Sequence, residues 1–182
     1  DKRYGFVMGG GKPEGAFVPK KEDVVPPCAV KTLPVQDGDV FDLGGVQIEA
    51  IAVPGHTVGT MVYLDRARRV LYSGDACNAN TLLGLPCSTT VETYAKSLDH
   101  LATYLKGIDK FYGGHGLQAV PAYIVDEALI LCEEILNDDD DRFETEFLGR
   151  KFLYARKFDG MFHREDGGIA NIAYVMEKVY NK

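Results

Sequence analysis

The stretch Val53-Pro54-Gly55-His56-Thr57-Val58-Gly59-Thr60 decides how this chain is read, together with Arg69-Val70-Leu71-Tyr72-Ser73-Gly74-Asp75 and Gly113-Gly114-His115-Gly116 further on. In each piece a short β-rich run ends in a glycine-containing turn that carries one ionisable side chain. Glycine lets the backbone turn sharply and leaves room beside its neighbour, so His56, Asp75 and His115 can project from a sheet edge towards a common point. Two imidazoles and a carboxylate are donors suited to zinc or iron. Taken singly, each has a plainer reading: a turn histidine is commonly a hydrogen-bonded surface residue, and Gly-Asp is a common turn dipeptide. Three such turns after three strands, 19 and 40 residues apart, form a pattern that a strand pair and a helix can span.

Outward from these turns, short β-rich runs fill residues 40–73: Val40-Phe41, then 46–53, 60–64 and 70–73. Gly38-Asp39, Gly44-Gly45, Pro54-Gly55 and Asp65-Arg66 supply turn chemistry between them, which reads as an antiparallel meander. A helix follows, capped by Thr89 or Thr90, with Val91, Tyr94, Ala95, Leu98, Leu101, Ala102 and Leu105 at 3, 4, 7 spacing and Glu92 completing a Thr89-x-x-Glu92 capping box. Phe111-Tyr112 reads as a strand. Pro121 is expected to open a second helix with Ile124, Val125, Ala128, Leu129, Cys132, Ile135 and Leu136 as its buried stripe. Residues 151–162 and 169–179 suggest two strands, or a strand and a short helix. Before residue 38, Gly9-Gly10-Gly11 and Pro26-Pro27 read as a connecting segment. GxxxxGK[ST] is absent, so a phosphate loop is not favoured.

Composition narrows the function classes. With 20 basic and 27 acidic residues among 182, the net charge of -7 argues against binding nucleic acid by general phosphate attraction. Residues 133–146 hold eight carboxylates and one base, Arg142, without the glycine of a calcium loop, and read as a solvated linker. No apolar run reaches the roughly 20 residues of a membrane-spanning helix. Cys28, Cys77, Cys87 and Cys132 form no CxxC pair, so a reducing, cytoplasmic location is expected.

The combination PGHTxG, SGD and GH, within Gly38 to Gly116, resembles the later part of the metallo-β-lactamase superfamily. The resemblance implies an α/β fold, the C-terminal half of a four-layer αββα sandwich, mostly antiparallel, with helices on one face and metals at one edge of its sheets. It implies that His56 is a ligand of a first zinc site. Asp75 would be the carboxylate bridging two metals, and so the catalytic candidate, with His115 the histidine of the second site. Zinc is the expected metal, two ions per complete site, with iron as the alternative. Thr57 and Gly59 would shape the His56 loop, and Tyr112 would pack behind His115. An aspartate at position 75, where many true lactamases carry a cysteine, points to the glyoxalase II-like or general hydrolase branch. The chemistry implied is attack of metal-activated water on a thioester, amide or lactam, or phosphoester-type small molecule.

The family's HxHxDH motif is absent, since the histidines are His56, His100, His115 and His163 alone. His100, beside Asp99 on a polar helix position, and His163 in a polar turn read as surface residues, and Cys77 is left out of the site. Together with a first residue other than methionine, this leads to the expectation of a fragment of a metal-dependent hydrolase that is inactive by itself. The alternative is a non-catalytic binding or assembly module. Half a sandwich would expose a sheet face, and a homodimer through that face is expected. The organisation expected is a connecting segment over 1–37, a half-domain over 38–147 and a C-terminal extension over 148–182 on the same domain.

Overall fold

The computed structural model describes residues 20–23, 25, 26, 28–115, 118–147, 149–159 and 161–181. Turn dipeptides between β-branched runs produce the first four strands: β1 (Val40–Asp42), β2 (Gln47–Ala52), β3 (Met61–Asp65) and β4 (Val70–Gly74). They pair antiparallel, neighbour to neighbour, with Ile51 opposite Val62 and Leu64 opposite Leu71. After β5 (Thr81–Leu82) and α1 (Val91–Ala102), β6 (Lys110–Gly113) joins β4 in parallel, with Leu71 opposite Phe111. Next, β7 (Val120–Pro121) closes a six-stranded sheet of order β1-β2-β3-β4-β6-β7. Beyond α2 (Ile124–Leu136), β8 (Phe143–Phe147), β9 (Arg150–Tyr154) and β10 (Ile172–Tyr174) build a second sheet of order β5-β10-β9-β8.

Strand alternation sorts the first sheet into two faces. Ile51, Val62, Leu64, Leu71 and Phe111 lie on one of them, fully buried in a single cluster with Val91, Tyr94, Leu98 and Leu101 of α1 and Ile124, Val125, Ala128, Leu131, Cys132 and Ile135 of α2. Both helices therefore cover this face. Ile172 and Tyr174 of β10 enter the same cluster. Burying each large apolar side chain contributes about 1.5–3 kcal/mol. Across the opposite face, Ala50, Tyr63, Tyr72 and Tyr112 form a row in register. Tyr72 and Tyr112 stack with ring centroids 6.1 Å apart and stay about 40% exposed, as does Phe41 of β1. Mixed, mostly antiparallel sheets with helices on one face make a partial αββα sandwich.

Three local expectations are corrected. Of the two candidate caps it is Thr90 that caps α1, its hydroxyl accepting from the Thr93 amide at 3.2 Å, because Thr89 is held away by its own amide bond to the Gly55 carbonyl at 2.9 Å. Glu92 makes no capping box; it accepts from Lys96 and from the Asn181 amide. Pro121 ends β7 rather than opening α2, since Val120 pairs with Phe111 and the helix starts only at Ile124. The acidic segment is not simply a solvated linker: Glu144 and Glu146 lie in β8, and the Asp140 side chain is fully buried, accepting from the Tyr174 hydroxyl at 2.7 Å.

The chain divides into the units Asp1–Pro34 and Val35–Lys182. In the first, the described residues hold one 3-10 turn, Lys21–Asp23, and Gly9-Gly10-Gly11 falls outside the described residues. In the second, the boundary drawn at 147/148 falls at the turn of the β8-β9 hairpin.

Candidate metal edge

β2, β4 and β6 all run in the same direction, because two antiparallel steps link β2 to β4 and β4 is parallel to β6. The turns that follow them therefore emerge at one sheet edge, and these are the turns carrying His56, Asp75 and His115. The Gly114 amide donates to the Gly74 carbonyl at 2.8 Å, tying the last two turns together. A Cβ on Gly114 would sit 2.7 Å from Asp75 Oδ1, so any side chain here would push the carboxylate from its place.

His56 Nε2 lies 3.9 Å from Asp75 Oδ2, and His115 Nε2 lies 3.4 Å from Asp75 Oδ1. One carboxylate thus faces a different imidazole with each oxygen. His56 is mostly buried, Asp75 is one-third exposed and His115 is 83% exposed. Asn78 reaches the same carboxylate, its amide 3.5 Å from Oδ1, and braces its own turn by accepting from the Asn80 amide at 2.7 Å.

The His56 loop is held on several sides. His56 Nδ1 lies 3.1 Å from the Leu82 carbonyl, which can only accept, so Nδ1 carries a proton, and Nε2 is the ring nitrogen that faces Asp75. Ser88 donates to the His56 carbonyl at 2.8 Å, and Val58 donates to the Cys87 carbonyl at 2.9 Å. Thr57 and Thr60 close the turn through their hydroxyls, 2.9 Å apart. Buried Tyr94 packs against Gly55 and donates to the Ala76 carbonyl at 2.7 Å, joining the His56 and Asp75 turns through α1. Tyr112 stacks on Tyr72.

A sequence profile described as the metallo-beta-lactamase superfamily matches residues 5–143. The chain belongs to the metallo-beta-lactamase superfamily. It is 31% identical over 86 residues to the acyl-coenzyme A thioesterase MBLAC2 of Homo sapiens, covering 46% of this chain and 31% of that protein. It is 35% identical over 101 residues to a hydroxyacylglutathione hydrolase of Brucella anthropi, covering 53% of this chain and 36% of that one. The chain thus spans about a third of the length of these curated relatives. Among solved structures, the sec-alkylsulfatase Pisa1 from Pseudomonas sp. shares the fold, with a TM-score of 0.51 at 16% identity over 60% of this chain and 19% of that one.

Superfamily membership raises the question of whether these side chains suit a metal. The donor chemistry fits. His56 Nε2 and an Asp75 carboxylate oxygen, 3.9 Å apart and too far for a direct hydrogen bond, are both donor atoms that a cation between them would satisfy. Bonds of 2.0–2.2 Å at a tetrahedral zinc leave its ligands roughly 3.4 Å apart, close to the two separations here. Among the described residues, however, no three His, Cys, Asp or Glu side chains gather tightly enough to hold one ion. The edge offers two imidazole–carboxylate pairs that share Asp75.

The remaining candidates fall outside this edge. Cys77 is buried, its thiol directed at the Ile124 carbonyl at 3.7 Å, and desolvation pushes its pKa up to about 12. His100 pairs with Asp37 at 3.0 Å and His163 with Asp159 at 3.1 Å, both at the surface. Two surface hollows of about 440 and 480 Å³ lie between the helices and beside β1 to β3, and neither is lined by His56, Asp75 or His115. Sequence reading missed Leu82, Ser88, Asn78 and Tyr94. Of these only the Asn78-Ala79-Asn80 turn chemistry left a local signal.

Proposed function

We propose that this chain carries part of the metal-binding edge of a hydrolase, with His56 and Asp75 holding one ion and Asp75 and His115 a second. The observation that carries the reading is the Asp75 carboxylate with one histidine at each oxygen. Two such ions, when bound, provide hydroxide near neutral pH and polarise the group it attacks. The chain's own residues orient the donors: the Leu82 carbonyl fixes the His56 tautomer, and Asn78 and Gly114 fix the carboxylate. Zinc is the preferred metal, with iron as the alternative. Among thioesters, amides or lactams, and phosphoesters, relatives named as a thioesterase and a hydroxyacylglutathione hydrolase favour a thioester. With no HxHxDH histidines in the sequence, the chain by itself is expected to hold metal weakly and hydrolyse little.

Zinc calorimetry on the chain and on Asp75→Ala, with acyl-thioester hydrolysis as a second readout, tests this. Zinc uptake that disappears in Asp75→Ala supports the reading, and equal uptake by both proteins overturns it. The competing reading, a non-catalytic assembly module on the same half-fold, is favoured by the lack of a three-ligand group among the described residues. It requires that no zinc bind at all. In either case the Tyr63-Tyr72-Tyr112 row is proposed as the face on which a second copy docks, since a two-fold axis would bring identical aromatic rows together.

A further inference from the structure

We propose that Lys178, in the C-terminal extension, is a positioning residue for His56. It stands in a 3-10 turn, Met176–Lys178, far in sequence from every motif. Its ammonium lies 2.7 Å from the Leu85 carbonyl, 3.4 Å from that of Pro86 and 2.5 Å from that of Ser88. An ammonium has three N–H donors, and here all three meet main-chain oxygens of one short turn. A free lysine gains little by giving up water and rotamer freedom, so this arrangement serves to hold residues 85–88 in place.

What that turn does is set by its other contacts. The Cys87 carbonyl accepts from Val58 and the Thr89 amide donates to Gly55, so residues 87–89 run alongside residues 55–58 as a backing strip. The Ser88 hydroxyl lies 2.8 Å from the His56 carbonyl and 3.2 Å from the Leu82 carbonyl, the oxygen that accepts from the imidazole. Lys178 therefore acts on His56 through Ser88: it fixes the turn, the turn fixes Ser88, and Ser88 shares its one hydroxyl proton between the His56 carbonyl, the nearer, and the Leu82 carbonyl that selects the tautomer. The purpose assigned to this clamp, presenting Nε2 to a metal, rests on the function proposed above; the clamp itself does not.

The test compares the chain with Lys178→Met, which keeps the stem and removes the donors, and Lys178→Arg, which restores donors. Long-range proton–nitrogen correlation spectra at pH 8 without metal report the imidazole tautomers, and calorimetry reports zinc affinity. The native protein and Lys178→Arg are expected to hold His56 with its proton on Nδ1. Lys178→Met is expected to show a tautomer mixture and about tenfold weaker zinc binding, the scale for groups that orient a ligand. Native tautomer and native affinity in Lys178→Met overturn the inference. A tautomer change in a protein that takes up no zinc upholds the clamp and defeats the metal reading instead. Should Lys178→Met not fold, Ser88→Ala must reproduce the tautomer change, and an unchanged His56 in that variant overturns the inference.

Discussion

Substituting Gly55 by alanine tests how the metal edge is supported. A Cβ at this position would lie 2.3 Å from Tyr94 Cδ2, 2.9 Å from Cε2 and 3.2 Å from Cγ. Carbon atoms in ordinary contact sit about 3.5–4.0 Å apart, so one side must yield by more than an ångström. The Tyr94 ring is fully buried among α1, α2 and the first sheet, and its hydroxyl is tied to the Ala76 carbonyl at 2.7 Å. The ring cannot swing aside without emptying its own pocket. Movement therefore falls on the Gly55 backbone, the immediate neighbour of His56. Overpacking of this kind costs about 1–3 kcal/mol, which for a domain near 150 residues lowers Tm by roughly 2–12 °C. Calorimetric unfolding of Gly55→Ala measures this. Tyr94→Phe is the control, since it leaves the ring against Gly55 and removes only the hydroxyl, at about 1–3 kcal/mol for the stranded carbonyl. Combining Gly55→Ala with Tyr94→Leu frees the space, so the double variant should lose less than the sum of its singles. Native Tm and native zinc uptake in Gly55→Ala would refute the argument that this contact places His56.

Gly114→Ala should behave differently. Its Cβ crowds the end of the Asp75 side chain at 2.7 Å and meets the Gly74 backbone at an ordinary 3.4 Å, so zinc binding by calorimetry should fall while stability changes by no more than about 0.5 kcal/mol; a loss of stability with unchanged binding contradicts this. Low pH should loosen the loop over residues 156–168. The Arg164 guanidinium beside Asp166 holds its carboxyl below the usual range, against the opposing effect of desolvation. That contribution is complete above the unfolded value of about 3.9 and is lost as pH falls through the lower folded value. The urea midpoint should then drop below about pH 4, and Asp166→Asn should flatten the drop; an identical pH profile in the variant refutes the assignment. Tyr72→Ser with Tyr112→Ser should shift sedimentation towards monomer if a second copy docks on the tyrosine row, and a monomeric native protein removes that proposal.

What was legible in the sequence was local. His56, Asp75 and His115 announce themselves because each follows a β-rich run and sits beside glycine, and α1 shows its buried stripe in Val91, Tyr94, Leu98 and Leu101. The strand β8 was also written there, as the alternation Phe143-Glu144-Thr145-Glu146-Phe147, but reading the segment by charge alone hid it. The supports were not legible, because their contacts join distant positions. Tyr94 reaches Ala76, Ser88 reaches His56 across 32 residues, and Lys178 reaches Leu85 across 93. Nothing local marks a lysine whose partners are carbonyls, since every residue has one. The sequence left Thr89 and Thr90 open as the cap for the same reason: the deciding bond, from Thr89 to Gly55, is tertiary.

The step that assembles the edge is the parallel pairing of β4 with β6. Two antiparallel strands joined by a hairpin carry their ends to opposite edges, whereas a parallel pair needs a crossover, and here α1 provides it. Had β6 followed β4 as one more antiparallel strand, the turn after it would have left His115 at the far edge from Asp75. The amphipathic stripe of α1 does more than bury apolar surface: by docking on Ile51, Val62, Leu64, Leu71 and Phe111 it returns the chain to the starting edge. Tyr94 lies on that same stripe, packed on Gly55 at one turn and bonded to Ala76 at the next. One helix face thus sets the strand direction that brings Asp75 and His115 together, and it also braces the turn of His56. Substitutions that weaken the docking of α1 should therefore disturb the metal edge before they disturb the β1–β4 meander, whose pairing does not pass through the helix.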